Sequence, residues 1–244
     1  MSAYRALKSI YHALLPARVR TFLVMNPIAR KPRMLLSRIV EHFARHDEIY
    51  DREYYEVGVD GAAATSAPHM VRALINEVHP ASVVDVGCGT GQVLMSFRES
   101  GVSAVRGLEY SAAALEMCQK RGLEVKPFDI ESDTAVDWRA DLVVSTEVAE
   151  HLPERCADRY VDLLTNVADT VFLTAATPDQ GGTDHVNEQP NAYWIEKFRR
   201  RSFEYDQATS MRWREEWRAA GVAGFYCNSA MLFRRAGTRK DSTP

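Results

Sequence analysis

The chain has 244 residues, 46% hydrophobic and 26% charged, with a formal net charge of −3. That length and balance fit a globular chain able to bury one large core, and the slightly negative charge excludes a global basic field for nucleic acid. Four scattered cysteines with no C-x-x-C pair exclude a zinc ribbon or a disulfide framework, and no apolar run approaches the roughly 18 residues of a membrane span.

Residues 1–60 stand apart. Residues 1–45 carry Arg5, Lys8, Arg18, Arg20, Arg30, Lys31, Arg33, Arg38 and Arg45 against the single acid Glu41. Tyr4, Leu7, Ile10, Tyr11, Leu14 and Leu15 recur at helical spacing, and Pro16, Pro27 and Pro32 cut the region into short pieces. This predicts an N-terminal helical cap over 1–60. A lid, a substrate-recognition element, or peripheral membrane contact through residues 1–45 are the alternatives. Arg5 and Lys8 interrupt any leader core, and cysteines read as free thiols suit a reducing compartment, so the expected location is cytoplasmic.

From Thr65 onward, helical and strand patterns alternate. A helix over Ser66–Val78 precedes a strand over Ala81–Val86. Helix Gly91–Glu99, strand Val102–Leu108, helix Ser111–Lys120 and strand Leu123–Pro127 follow. Strand Asp141–Ser145, helix Glu154–Asn166 and strand Thr170–Ala175 continue the alternation. Helix Asn191–Arg199, a short strand Phe203–Tyr205, helix Ala208–Ala220 and strand Val222–Arg234 complete it. The pattern predicts an α/β, Rossmann-like, mostly parallel sheet with helices on both faces over 61–236, and a flexible tail at 237–244.

In such sheets ligands bind beyond the carboxyl ends of the strands. The first strand ends in Asp85-Val86-Gly87-Cys88-Gly89-Thr90-Gly91 and runs straight into a helix. Glycines let a ligand approach the backbone, and a helix start offers free N–H groups. The second strand ends in Glu109-Tyr110, where a carboxylate can accept both ribose hydroxyl protons; a surface helix-capping role is the alternative. The third ends in Phe128-Asp129-Ile130, an acid for an adenine amino group with an apolar neighbour for the ring, or else a plain turn residue. A nicotinamide dinucleotide is disfavoured, because Gly87-x-Gly89-x-Gly91 lacks the G-x-G-x-x-G spacing.

The fourth strand leads into Thr146-Glu147-Val148-Ala149-Glu150-His151. If that turn is helical, Glu147, Glu150 and His151 share one face, and clustered acids call for a cation between them. His185, after the fifth strand, can swing over the same strand ends, with Asp184 and Glu188 as outer partners. A metal-free alternative makes His151 a general base oriented by Glu147 or Glu150.

On the glycine loop, Glu109, Phe128-Asp129-Ile130 and Val143-Val144-Ser145-Thr146-Glu147, residues 65–235 resemble the class I S-adenosylmethionine-dependent methyltransferases. The resemblance implies a seven-stranded sheet with an antiparallel last strand. It also implies cofactor contacts from Asp85, Gly87, Cys88, Gly89, Gly91, Glu109, Tyr110, Asp129, Ile130 and Thr146. The Glu147-x-x-Glu150-His151 set with a later His185 is similar to the metal-dependent O-methyltransferase branch. There these four residues would hold Mg²⁺ or Mn²⁺, and His151, Glu147 and Glu150 would be catalytic. The Gly181–Phe198 segment and the stretch from Tyr50 to Tyr55 resemble bacterial saccharide methyltransferases, Tyr193 and Trp194 being either sugar-facing or core. The implied function is O-methylation of a vicinal diol, on a small-molecule or oligosaccharide acceptor such as a mannose-type precursor. A catechol, quinone-pathway or other phenol, a small-RNA 2′-hydroxyl, and a non-catalytic cofactor-binding module are the alternatives. Oligomeric state stays open, a homodimer included.

Overall fold

The computed structural model describes residues 49–133 and 135–237. The expectations for residues 1–48 and for the tail beyond Gly237 lie outside the described residues. A π-helical turn, Tyr54–Val59, runs into α1 (Asp60–Val78). Then come β1 (Ser82–Val86), α2 (Gln92–Glu99), β2 (Ala104–Glu109), α3 (Ala112–Lys120), β3 (Glu124–Pro127) and β4 (Leu142–Thr146). Two short 3₁₀ turns, Ala149–His151 and Glu154–Cys156, lead to α4 (Ala157–Val167), β5 (Thr170–Thr174) and α5 (Asn191–Arg199). The chain finishes with β6 (Phe203–Tyr205), α6 (Gln207–Ala219), α7 (Gly224–Ser229) and β7 (Met231–Arg235).

The seven strands lie in the order β3-β2-β1-β4-β5-β7-β6. All described pairings are parallel except those of β7, which is antiparallel to both β5 and β6. The expected α/β, Rossmann-like sheet with an antiparallel last strand is therefore the fold. Strand side chains alternate between faces. Val84, Val143, Val171 and Phe233 pack on one side with Tyr160, Leu164, Trp194 and Phe198. Val83, Val144, Phe172 and Leu232 pack on the other with Val71, Leu74, Trp213 and Trp217. Both faces are covered, which is why β1, β4 and β5 read as near-continuous apolar runs.

Three element boundaries differ from expectation. The helix expected from Ser66 starts at Asp60 and runs through Pro68, because Ala62–Ala64 favours helix strongly enough to extend it. The second strand begins at Ala104, since Val102 N–H bonds back to the Phe97 carbonyl. The expected strand Val222–Arg234 divides into α7 and β7. Val222, Tyr226, Cys227 and Ala230 are buried together at helical rather than alternate spacing.

Candidate functional site

The loops after β1, β2, β3, β4 and β5 surround a cavity of about 1010 Å³ at the carboxyl ends of the strands, closed on one side by residues 49–63. The glycine loop forms its floor. Gly87, Gly89 and Gly91 have φ of 75°, 52° and 81°, a region costly for residues with a Cβ. Gly87 and Cys88 N–H both bond to the Leu108 carbonyl, at 2.8 and 3.1 Å, tying the loop to β2. Gly91 then caps α2, so the turn and the helix start are one unit.

Glu109 is buried beside this loop. Its carboxylate accepts from Gly89 N–H and Ser111 N–H, both at 2.8 Å, and from the Tyr55 hydroxyl at 3.4 Å. Burial still pushes its pKa upward, outweighing these donors. Asp85 is 1% exposed, with Oδ1 lacking a hydrogen-bond partner, and its pKa is pushed up to about 8 by burial and then by the Glu109 charge. Two acids poised this way create a region that favours a positively charged ligand. Cys88, Tyr110, Asp129, Ile130 and Thr146 also line the cavity. Asp129 is a turn residue as well: its Oδ1 accepts from Glu131 N–H and its Oδ2 from the Ser132 hydroxyl, each at 2.9 Å.

The other end of the cavity is built after β4 and β5. The helical turn expected over Glu147–His151 is confined to Ala149–His151, because Glu147 takes a left-handed φ of 55°. That kink aims Glu147 N–H at Thr174 instead. Glu150, His151 and His185 nevertheless converge, each offering one ligand atom within 4.8 Å of the others. Glu147 does not join that group; its Oε2 accepts from Gln180 Nε2 at 2.7 Å. Glu150 is fully buried, and its carboxylate lies beside the Glu147 carboxyl and the Glu150 and Ala176 backbone amides without a well-formed hydrogen bond to any of them. Burial raises its pKa well above the carboxylate range, and neighbouring Glu147 raises it further. Burial raises that of Glu147 too.

The two imidazoles are oriented from behind. His185 Nδ1 lies 2.9 Å from Glu188 Oε1, and His151 Nδ1 lies 3.2 Å from the Asp184 carbonyl oxygen. A carbonyl oxygen only accepts, so His151 Nδ1 carries the proton and its lone pair is on Nε2. The rings meet edge to face with centroids 5.0 Å apart. The Glu188 carboxylate and the Asp184 carbonyl thus lie directly behind the two imidazoles. The donor set suits a divalent ion: a buried orphan carboxylate with two oriented imidazoles, one backed by a carboxylate.

Sequence reasoning did not single out Tyr50, Tyr55 or Gln180 as individual site residues. The signal for the tyrosines was the resemblance of the whole stretch from Tyr50 to Tyr55 to bacterial saccharide methyltransferases. Tyr193 and Trp194 are not among the cavity-lining residues; Trp194 is 1% exposed and packs edge to face on Tyr160. Trp194 is thus a core residue, and Tyr193 lies half-buried outside this cavity.

Solved structures of similar fold include the magnesium protoporphyrin IX methyltransferase (ChlM) of Synechocystis PCC 6803 with bound SAH. It is 16% identical, with 72% of this chain and 84% of that chain covered at a TM-score of 0.56. The sugar N-methyltransferase KedS8 of Streptoalloteichus is 13% identical, covering 75% and 92% at 0.58. The plantazolicin methyltransferase BpumL, in complex with a triazolic desmethylPZN analog and SAH, is 13% identical, covering 83% and 95% at 0.57. Residues 63–222 match a family model described as a methyltransferase domain, and the chain belongs to that family of class I S-adenosylmethionine-dependent methyltransferases.

Proposed function

We propose that the protein transfers the methyl group of S-adenosylmethionine to one hydroxyl of a vicinal diol, on a neutral saccharide. The observation that carries this reading is the convergence of Glu150, His151 and His185 at the cavity end away from the glycine loop. In this reading Glu109 receives the ribose hydroxyls, and the adenine lies by Ile130 with Asp129 at its amino group. Gly87, Cys88, Gly89, Tyr110 and Thr146 shape the remaining wall, Gly91 lies behind it against Leu123 and Cys118, and Asp85 faces the positively charged end of the cofactor. The acceptor oxygen attacks the methyl carbon in line, and sulfur keeps the electron pair of the breaking bond.

A divalent ion on Glu150, His151 and His185 would gather the two hydroxyls and acidify the attacking one. Glu147, beside that group, accepts the departing proton. Among the described residues, acids including Glu53, Asp85, Glu109, Glu147 and Glu150 line the cavity, and no lysine or arginine does. A phosphate backbone would find no lysine or arginine among these lining residues, which favours a neutral polyol over RNA. A second reading rests on the His151–Asp184 bond, which equally orients the imidazole as a general base without metal.

The test is a screen of neutral saccharides, catechols and RNA 3′ ends with isotope-labelled methyl donor, with Mn²⁺ and with EDTA. The expected result is saccharide methylation that EDTA abolishes. His151→Ala should remove turnover while holding SAH affinity within about threefold of wild type, a difference of roughly 0.7 kcal/mol. EDTA-insensitive turnover would move the assignment to the metal-free base. Methylation of RNA ends alone would refute the acceptor class.

A further inference from the structure

Tyr50 touches both halves of the cavity. Its backbone carbonyl accepts from the Ser111 hydroxyl at 2.8 Å, next to the Ser111 N–H that holds Glu109. Its own hydroxyl donates to Asp184 Oδ2 at 2.9 Å. Its ring stands edge to face with His151 and with Tyr54, centroids 5.7 and 5.1 Å apart. The residue it holds, Asp184, has a left-handed φ of 56° and supplies the carbonyl that fixes His151 Nδ1.

We propose that Tyr50 is the positioning residue for His151, acting through Asp184, and that it links this setting to the cofactor half of the cavity. The inference rests on the reading of His151 as the acceptor-side group. A non-glycine residue in the left-handed region persists only where its surroundings impose that conformation. The loop is tied before Asp184 by Asp179 and Gly181 N–H on the Glu188 carboxylate, and after it by Val186 and Asn187 N–H on the Glu150 carbonyl. The Tyr50 hydroxyl supplies a side-chain anchor. Without it the Asp184 carbonyl can turn from His151, and the imidazole loses the acceptor that selects its Nδ1–H tautomer. Burial and the Asp184 charge both raise the Tyr50 pKa, so the hydroxyl stays protonated and able to donate.

Tyr50→Phe removes one oxygen and keeps the ring. The full-length protein would be followed by ¹⁵N NMR of the His151 side chain, by Mn²⁺ titration and by SAH calorimetry. Wild type should show the Nδ1–H tautomer. The variant should show a tautomer mixture, about tenfold weaker Mn²⁺ binding, and SAH affinity within about threefold of wild type. Asp184→Asn, whose amide oxygen can still accept from Tyr50, should keep the wild-type tautomer, whereas Asp184→Ala should behave as Tyr50→Phe. That last variant tests the same bond from its other end if Tyr50→Phe does not fold. An unchanged tautomer in both Tyr50→Phe and Asp184→Ala would overturn the proposal. Absence of Mn²⁺ binding in wild type would remove the metal reading alone, because the tautomer comparison stands without it.

Discussion

Gly182→Ala tests the metal-holding geometry without altering any of the proposed ligands. Gly181 needs its positive φ of 66°, but Gly182 has no such φ, so its backbone tolerates alanine. The obstacle is the His185 ring: a Cβ on Gly182 would fall 2.7 Å from Cδ2 and closer still to Cε1 and Nε2. The ring must retreat by at least about 1.3 Å to regain ordinary van der Waals contact. It is already held on Glu188 at 2.9 Å and packed against His151. A displacement of that size takes the Nδ1–Oε1 separation outside hydrogen-bonding range. Losing a hydrogen bond to a charged group costs about 1.5–3 kcal/mol. That corresponds to about a 10- to 100-fold loss of Mn²⁺ affinity, the range usual for removing an outer partner of a metal ligand. The assay is Mn²⁺ titration by electron paramagnetic resonance, with SAH calorimetry in parallel, where affinity should stay near wild type. Mn²⁺ bound by Gly182→Ala as tightly as by wild type would refute the placement of His185 in the ligand group.

Two further outcomes follow from the cofactor half. Gly91→Ala should lower stability by about 2–5 kcal/mol, combining left-handed strain with overpacking, and should weaken SAH binding. The added Cβ would meet the Leu123 side chain and lie 3.1 Å from Cys118 Sγ; an unchanged urea midpoint would count against this. Asp85 holds its proton to about pH 8 in the fold but loses it near 3.8 when unfolded. Wild-type apoprotein should therefore lose stability relative to Asp85→Asn as pH rises between these values, with the difference levelling above pH 8. Melting temperatures of both proteins across pH 5–9 check this, and a constant difference would defeat the assignment.

The sheet was legible because β1, β4 and β5 are near-continuous apolar runs, the first followed by glycine and the second by an acid, and local pattern suffices for such strands. Glu109 and the glycine loop were legible for the same reason: each lies at the carboxyl end of its own strand. Residues that act across long separations were not. Tyr50 meets Asp184 across 134 positions, and no local spacing reports that pairing. The turn at Glu147 failed in a different way. Helical spacing was assumed, but β5 captures the Glu147 N–H through Thr174 and unwinds the first residue. α7 was hidden because its residues, aromatic and apolar, also suit a strand; only the shared burial of Tyr226, Cys227 and Ala230 separates the two.

The antiparallel β7 carries a consequence for synthesis on the ribosome. Among the described strands, β6 has β7 as its sheet neighbour, and one edge of β5 is covered by the same five residues. Until Met231–Arg235 has left the exit tunnel, the nascent chain carries Thr170–Thr174 as an open, apolar strand edge. Such an edge is a template for pairing with another chain. Polysomes translating this message would therefore place many identical unsatisfied edges close together. A stop codon just before Met231 should yield a product recovered chiefly in aggregates, even though the cavity-forming loops after β1, β2 and β4 are all encoded upstream.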